Sequence, residues 1–217
     1  MGYNIISHFL LYKEKTMPFC VDIETVGVRS SCGVLSLSIV YFGHSEDKHN
    51  IEYLKENTLT VKFNLIDQIQ YNRTTDNSTV DWWKKQSDEV RKKSFLPSES
   101  DVSVVDGIKQ VNEYIKQKCL EHNTKLKDEN FWCRGQLEPI VLQDLCNAIG
   151  QPQIQPAYWM WRDIRTIIHY MYNAPRGYTD IDYPSNQEEV KDLYNSKHDP
   201  KTDIILDILQ IYYGVFK

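Results

Sequence analysis

Two short stretches of this sequence bring together residue types that could share one chemistry. The first is VDIET, residues 21–25. Asp22 and Glu24 stand two apart, and on a strand residues i and i+2 point to the same side. Two carboxylates on one face repel each other and need a countercharge. A divalent cation such as Mg²⁺ supplies it, because it prefers hard oxygen ligands. The same pair could equally be a solvated strand edge. The second stretch lies near the other end: His198, Asp199, Pro200, Lys201, Thr202 and Asp203. Asp199 suits an N-cap and Pro200 the first helical position, so the spacing predicts a helix starting here. His198 then sits just outside it, free to lean over a site, and Asp203 falls in the first turn and a half. A carboxylate that holds a metal beside an imidazole that takes a proton from water is the pairing needed for metal-assisted hydrolysis. A capped surface helix with an incidental histidine would look the same. Asp207, four residues on, reads either as a group behind the ligands or as solvated.

The elements that must position these residues follow from periodicity. Residues 19–21 form a short apolar run, and residues 34–42 and 58–65 alternate apolar with polar. These predict three strands in an antiparallel meander. Residues 80–93 (VDWWKKQSDEVRKK) read as a helix, with Ser78 and Asp81 at capping-box spacing. Val104, Ile108, Val111 and Ile115 make one apolar helical stripe. Residues 131–133 read as a further strand, residues 139–149 as a helix with Pro139 in its first turn, and residues 162–172 as a helix. A long polar loop at 173–199, with a short helix at 187–194, leads to the last helix at 200–213. The order of elements predicts an α/β fold, a meander followed by βα units.

Composition bounds the function. The chain has 217 residues, 41% hydrophobic, 12% aromatic and 25% charged, which suits one globular domain. Residues 1–16 read as an upstream extension and 17–217 as a single domain. The net charge of −5 excludes a strongly basic coat-type nucleic-acid binder but not a nuclease built on acidic metal ligands. No apolar run reaches membrane-spanning length, so no membrane association is expected. The cysteines, Cys20, Cys32, Cys119, Cys133 and Cys146, are odd in number and form no CxxC pair. Reduced thiols in a cytoplasmic protein are expected.

Together, the two stretches resemble the DEDDh family of 3′–5′ exonucleases. Its pattern is Asp-x-Glu on the first strand, an Asp in a middle helix, and a His with four intervening residues before a final Asp. Here Asp22 and Glu24 match the first motif, and His198 and Asp203 the last. The segments STVDWWKKQSDEVRKK, PSESDVSVVDGIKQVNEYI, FWCRG, WRDIRT and HDPKTDIILDIL also resemble bacteriophage members of the family, in the same order, over roughly residues 17–213. The middle motif departs from the pattern. The best match for its Asp is Glu138, with Leu137 in place of the usual Phe. Asp144 is the fallback acid, more than a turn further on.

The resemblance implies a ribonuclease H-like fold, a mixed central sheet flanked by helices. It implies two divalent cations, Mg²⁺ or Mn²⁺, held by Asp22, Glu24, Glu138 and Asp203, with His198 as general base. It also implies hydrolysis of single-stranded DNA from the 3′ end to nucleoside monophosphates, in the host cytoplasm if the chain is phage-encoded. RNA 3′ ends are the alternative substrate. A catalytically weak module that holds nucleic-acid ends is the alternative role, raised only by Glu138. Dimers are common among similar enzymes, so a homodimer is possible. For substrate contacts, Thr25 matches a position that meets the terminal nucleotide in similar enzymes. Trp82 or Trp83 could stack on a base, with Trp83 the choice. Arg134, Arg162 and Arg165 could meet phosphates. Lys84, Lys85, Arg91, Lys92 and Lys93 form a basic cluster that either tracks the strand or is a solvated helix face.

Overall fold

The structure, a computed structural model, describes residues 18–43, 49–154 and 157–216. The extension expected at 1–16 lies outside them. Strand β1 (Pro18–Thr25) runs up the middle of the sheet. β2 (Val34–Tyr41) pairs antiparallel with β1, and β3 (Leu59–Lys62) antiparallel with β2, which is the expected meander. On the other side β4 (Asn130–Cys133) and β5 (Trp161–Asp163) add in parallel, giving a five-stranded mixed sheet in the order β3-β2-β1-β4-β5. With helices on both faces, this is the α/β, ribonuclease H-like arrangement.

Alternation along β1 sorts its side chains. Phe19, Val21 and Ile23 join the apolar cluster on one face, which also holds Ile108, Val111, Val141 and Leu145. Those residues come from α4 (Val104–Glu121) and α5 (Leu137–Ala148). Cys20 joins the cluster on the opposite face, built around α8 (Pro200–Tyr213) and α6 (Ile164–Tyr172). Asp22 and Glu24 continue the Cys20 face, so both carboxylates look toward α8. A bulge between Glu24 and Thr25 then breaks the register with β2; such bulges end pairing and re-aim side chains.

Three features differ from the sequence expectation. Helix α1 (Ile51–Asn57), capped by Asn50, was not expected; at seven residues its pattern is short. The helix expected over 80–93 is two. α2 (Asn77–Lys84) stops, and α3 (Asp88–Val90) restarts under a Ser87 cap and continues as a π-helical turn, Arg91–Phe95. The Ser78–Asp81 box does not form, since the cap position is Asp76, whose carboxylate accepts from the Val28 N–H instead. Residues 162–163, read as helix, belong to β5, and Asp163 caps α6. The short helix near 187–194 is present as α7 (Gln187–Asn195).

Gly107 lets α4 lie directly on the sheet: a Cβ there would come within 2.3 Å of Phe63 and 2.8 Å of Val61. We therefore expect Gly107→Ala to destabilise the fold by about 1–3 kcal/mol through overpacking, despite alanine's better helix propensity. Urea unfolding of the two proteins measures this, and an unchanged midpoint would show that α4 can shift outward freely.

Candidate active site

Five carboxylates from three elements line one cleft of about 480 Å³. Asp22 and Glu24 come from the end of β1. Glu138 comes from the first turn of α5, carried there because β4 lies parallel beside β1 and the Arg134–Gln136 turn brings the chain back over it. Gly135 in that turn has φ of 114°, open to glycine alone among common residues. Asp203 comes from the first turn of α8, and Asp207, one turn on, lines the same cleft. Asp144 is elsewhere, paired with Arg73.

Like charges that are buried together cannot all stay ionised at ordinary pKa values. Burial, then Glu24, Asp203 and Glu138, push Asp22 well above the carboxylate range. Burial, then Asp203, Asp199 and Glu138, raise Glu24. Glu138 is pushed up to about 7 by burial, with Asp207 adding to the rise and Arg165 opposing it. Asp203 is pushed up to about 7 by burial and by Asp207, against a hydrogen bond from the His198 N–H. One oxygen of Glu138 is buried without a hydrogen-bond partner. Hard oxygen donors in excess, one of them orphaned, fit a divalent cation.

His198 stands at the rim, with φ of 68°. Its backbone is held on both sides: its N–H donates to Asp203 Oδ2 at 3.1 Å, and its carbonyl accepts from Ser94 Oγ at 2.6 Å. Its ring meets Trp82 edge to face at 4.8 Å. Burial, and then the Lys197 charge, lower its pKa. Among the described residues, one donor atom each from Glu24, His198 and Asp203 lie within 4.8 Å of one another. The imidazole is therefore near enough to serve as a base or as a ligand.

The residues expected to bind substrate divide. Trp83 is not a stacking surface: it is 1% exposed, stacks on Phe95 at 5.8 Å, and donates its indole N–H to the Thr25 carbonyl at 2.9 Å. Trp82 is the tryptophan that reaches the cleft rim. The Thr25 hydroxyl is turned inward and donates to the Gly27 carbonyl at 2.6 Å, so both side chain and carbonyl are engaged. Arg134 lines the cleft as an internal countercharge, with contacts to Asp207 at 2.5 and 2.6 Å, a bond to the Gly177 carbonyl at 2.6 Å, and its guanidinium 4.2 Å from the Tyr178 ring centre. Its charge is spent on the protein, which argues against a phosphate contact. Arg165 also lines the cleft. Arg162 lies outside it, donating to the carbonyls of Trp159 and Trp161. In the basic cluster Lys84 pairs with Asp81, Arg91 with Asp88, and Lys93 reaches Asp199 at 3.5 Å. Lys197 and Tyr178 line the cleft and were not singled out in the sequence; neither carries a local signal.

Comparison with known proteins decides the family. The 3′-5′ exoribonuclease Rv2179c-like domain matches residues 17–202. The chain belongs to that family. An exodeoxyribonuclease of Enterobacteria phage T4 is 31% identical over 211 residues, which span 91% of this chain and 90% of that protein. The chain is thus a 3′–5′ exonuclease of the kind its motifs resembled, and the reading as a mere end-binding module falls away. No helix among the described residues of the exonuclease is long and apolar enough to cross a membrane.

Arg134 neutralises a carboxylate that is otherwise buried among like charges. Arg134→Met should cost about 3–5 kcal/mol, because Asp207 is left unpaired. Adding Asp207→Asn should recover part of that loss. Urea denaturation of the two variants checks this, and equal losses in both would contradict the pairing argument.

Proposed function

We propose that the exonuclease removes nucleoside monophosphates from the 3′ end of single-stranded DNA, using two divalent cations, Mg²⁺ or Mn²⁺, and His198 as general base. The observation that carries this is the meeting of Asp22, Glu24, Glu138 and Asp203 in one cleft, with burial raising every one of them. These four residues would hold the cations. When bound, the cations would neutralise the scissile phosphate and the leaving 3′ oxygen and activate the attacking water.

The remaining chemistry falls to the chain. His198, with its pKa lowered, is neutral at pH 7 and can accept the proton of the attacking water. Water adds to phosphorus, the bond to the neighbouring nucleotide's 3′ oxygen breaks, and the terminal nucleotide leaves with its 5′ phosphate. Arg165, which lines the cleft, can meet phosphate oxygens as a guanidinium fork. Glutamate at 138 reaches one methylene further than aspartate, and its buried, unpartnered oxygen supports a ligand role.

The DNA reading rests on likeness to the phage exodeoxyribonuclease along nine-tenths of both chains. RNA is the second reading, favoured by the exoribonuclease description of the matching family. Matched 5′-labelled single-stranded DNA and RNA, incubated with Mg²⁺, Mn²⁺ or chelator, separate them. We expect a metal-dependent ladder shortening from the 3′ end on DNA. A ladder on RNA alone would reverse the sugar assignment. Asp22→Ala should abolish the ladder while melting in chelator no lower than the parent, since it removes a repelling charge.

His198→Ala distinguishes base from ligand. Turnover should fall at least about 100-fold, the usual contribution of general base catalysis, while the rise in Tm on adding Mn²⁺ persists. Loss of that rise would make His198 a ligand.

A further inference from the structure

Beside the catalytic cleft lies a second groove of about 440 Å³, and Gly135 and Gln136 line both. Its other walls are Pro139, Ile140 and Gln143 of α5, Tyr158 from the turn before β5, and Trp161, Arg162 and Asp163 of β5 itself, the Asp163 carboxylate being held as the cap of α6. At its edge, Tyr158 is 81% exposed and the adjoining Trp159 64% exposed. Their rings meet edge to face at 5.1 Å. Two large aromatics cost free energy when left in water, and a contiguous exposed apolar patch commonly marks an interaction surface.

The backbone holds these rings outward. Residues 158–160 form a single 3₁₀ turn, in which Met160 is buried as the anchor while its two neighbours face solvent. Arg162 then ties the turn down, donating to the carbonyls of Trp159 and Trp161. The rings are therefore presented by a braced turn, next to an exposed guanidinium.

We infer that Tyr158 and Trp159 form a stacking platform for a base of the substrate strand beyond its 3′-terminal nucleotide. The occupant follows from continuity. The strand that enters the catalytic cleft must leave it, and the shared Gly135–Gln136 wall leads into this groove. An aromatic face beside a cation suits single-stranded nucleic acid, whose bases stack without sequence preference while the phosphates are neutralised. Trp83, buried in the core, cannot serve this purpose. The inference rests on the exonuclease reading of the cleft, and it adds what grips the rest of the strand.

The test is a cycle between protein and substrate. Wild type and the Tyr158→Ala/Trp159→Ala double variant are compared on an intact 5′-labelled oligonucleotide, and on oligonucleotides carrying one abasic position at the second, third or fourth nucleotide from the 3′ end. On the intact strand the double variant should show KM raised about 10-fold, within the range of one lost stacking contact, with kcat unchanged. Wild type should lose a similar factor at one abasic position. The double variant should lose nothing further there. Tyr158→Phe/Trp159→Phe should retain wild-type KM, which separates stacking from a role in folding. Unchanged KM in the alanine variant, independent losses that multiply, or failure of the phenylalanine variant to retain KM would each overturn the platform. Failure of wild type to shorten the intact strand would instead overturn the reading of the cleft.

Discussion

Carboxylates held together out of water set the terms for the rest of this molecule. Asp22 and Glu24 share a strand face; α8 lays Asp203 and Asp207 against it; Glu138 closes the group from α5. Burial raises every one of them, and mutual repulsion adds to the rise at Asp22, Glu24, Glu138 and Asp203. Arg134 relieves only Asp207 directly. The unrelieved remainder makes the cleft a receptor for positive charge, and the protein needs a scaffold stiff enough not to relax it away. Strain of this sort persists only where the surroundings over-determine the geometry.

That stiffness comes from where the residues sit. β1 is the central strand, hydrogen-bonded on one side to β2 and on the other to β4, so it cannot slide to separate its acids. Its opposite face is packed against α4 and α5. α8 is buried almost continuously from Ile204 to Ile211, and its apolar side chains hold Asp203 and Asp207 in place. The repulsion is therefore borne by two apolar clusters on the two faces of one sheet.

The histidine is treated differently from the acids. It stands on the loop before α8, in a left-handed conformation that costs an ordinary L-residue roughly 1–2 kcal/mol. Ser94 and Asp203 hold its backbone, and Trp82 meets its ring. The π-helical turn that carries Ser94 has a function in this light: it brings a hydroxyl from a distant segment to the His198 carbonyl. On the proposed mechanism, acids on rigid elements and a base on a clamped loop would separate the fixed charges from the group that exchanges a proton.

Local periodicity and capping are legible in the order of residues alone. Asp22 and Glu24 share a face because strand side chains alternate. The last helix starts at Asp199-Pro200 because those residues suit its first positions, and this puts His198 outside it. The three-stranded meander and the stripe of α4 were legible for the same reason. Residues that look alike locally are told apart by packing. Trp82 and Trp83 are neighbours, yet one reaches the rim and the other is core, because Thr25, 58 residues away, accepts the Trp83 indole proton. Arg134 looks like a phosphate ligand until Asp207, 73 residues on, takes its charge. Tyr158 and Trp159 carry no local signal, and the 3₁₀ turn exposes them. β5 and α1 are too short for their patterns to speak. For Trp83 and Arg134 the deciding contact is remote in the chain, and a local pattern carries no information about which distant group will arrive.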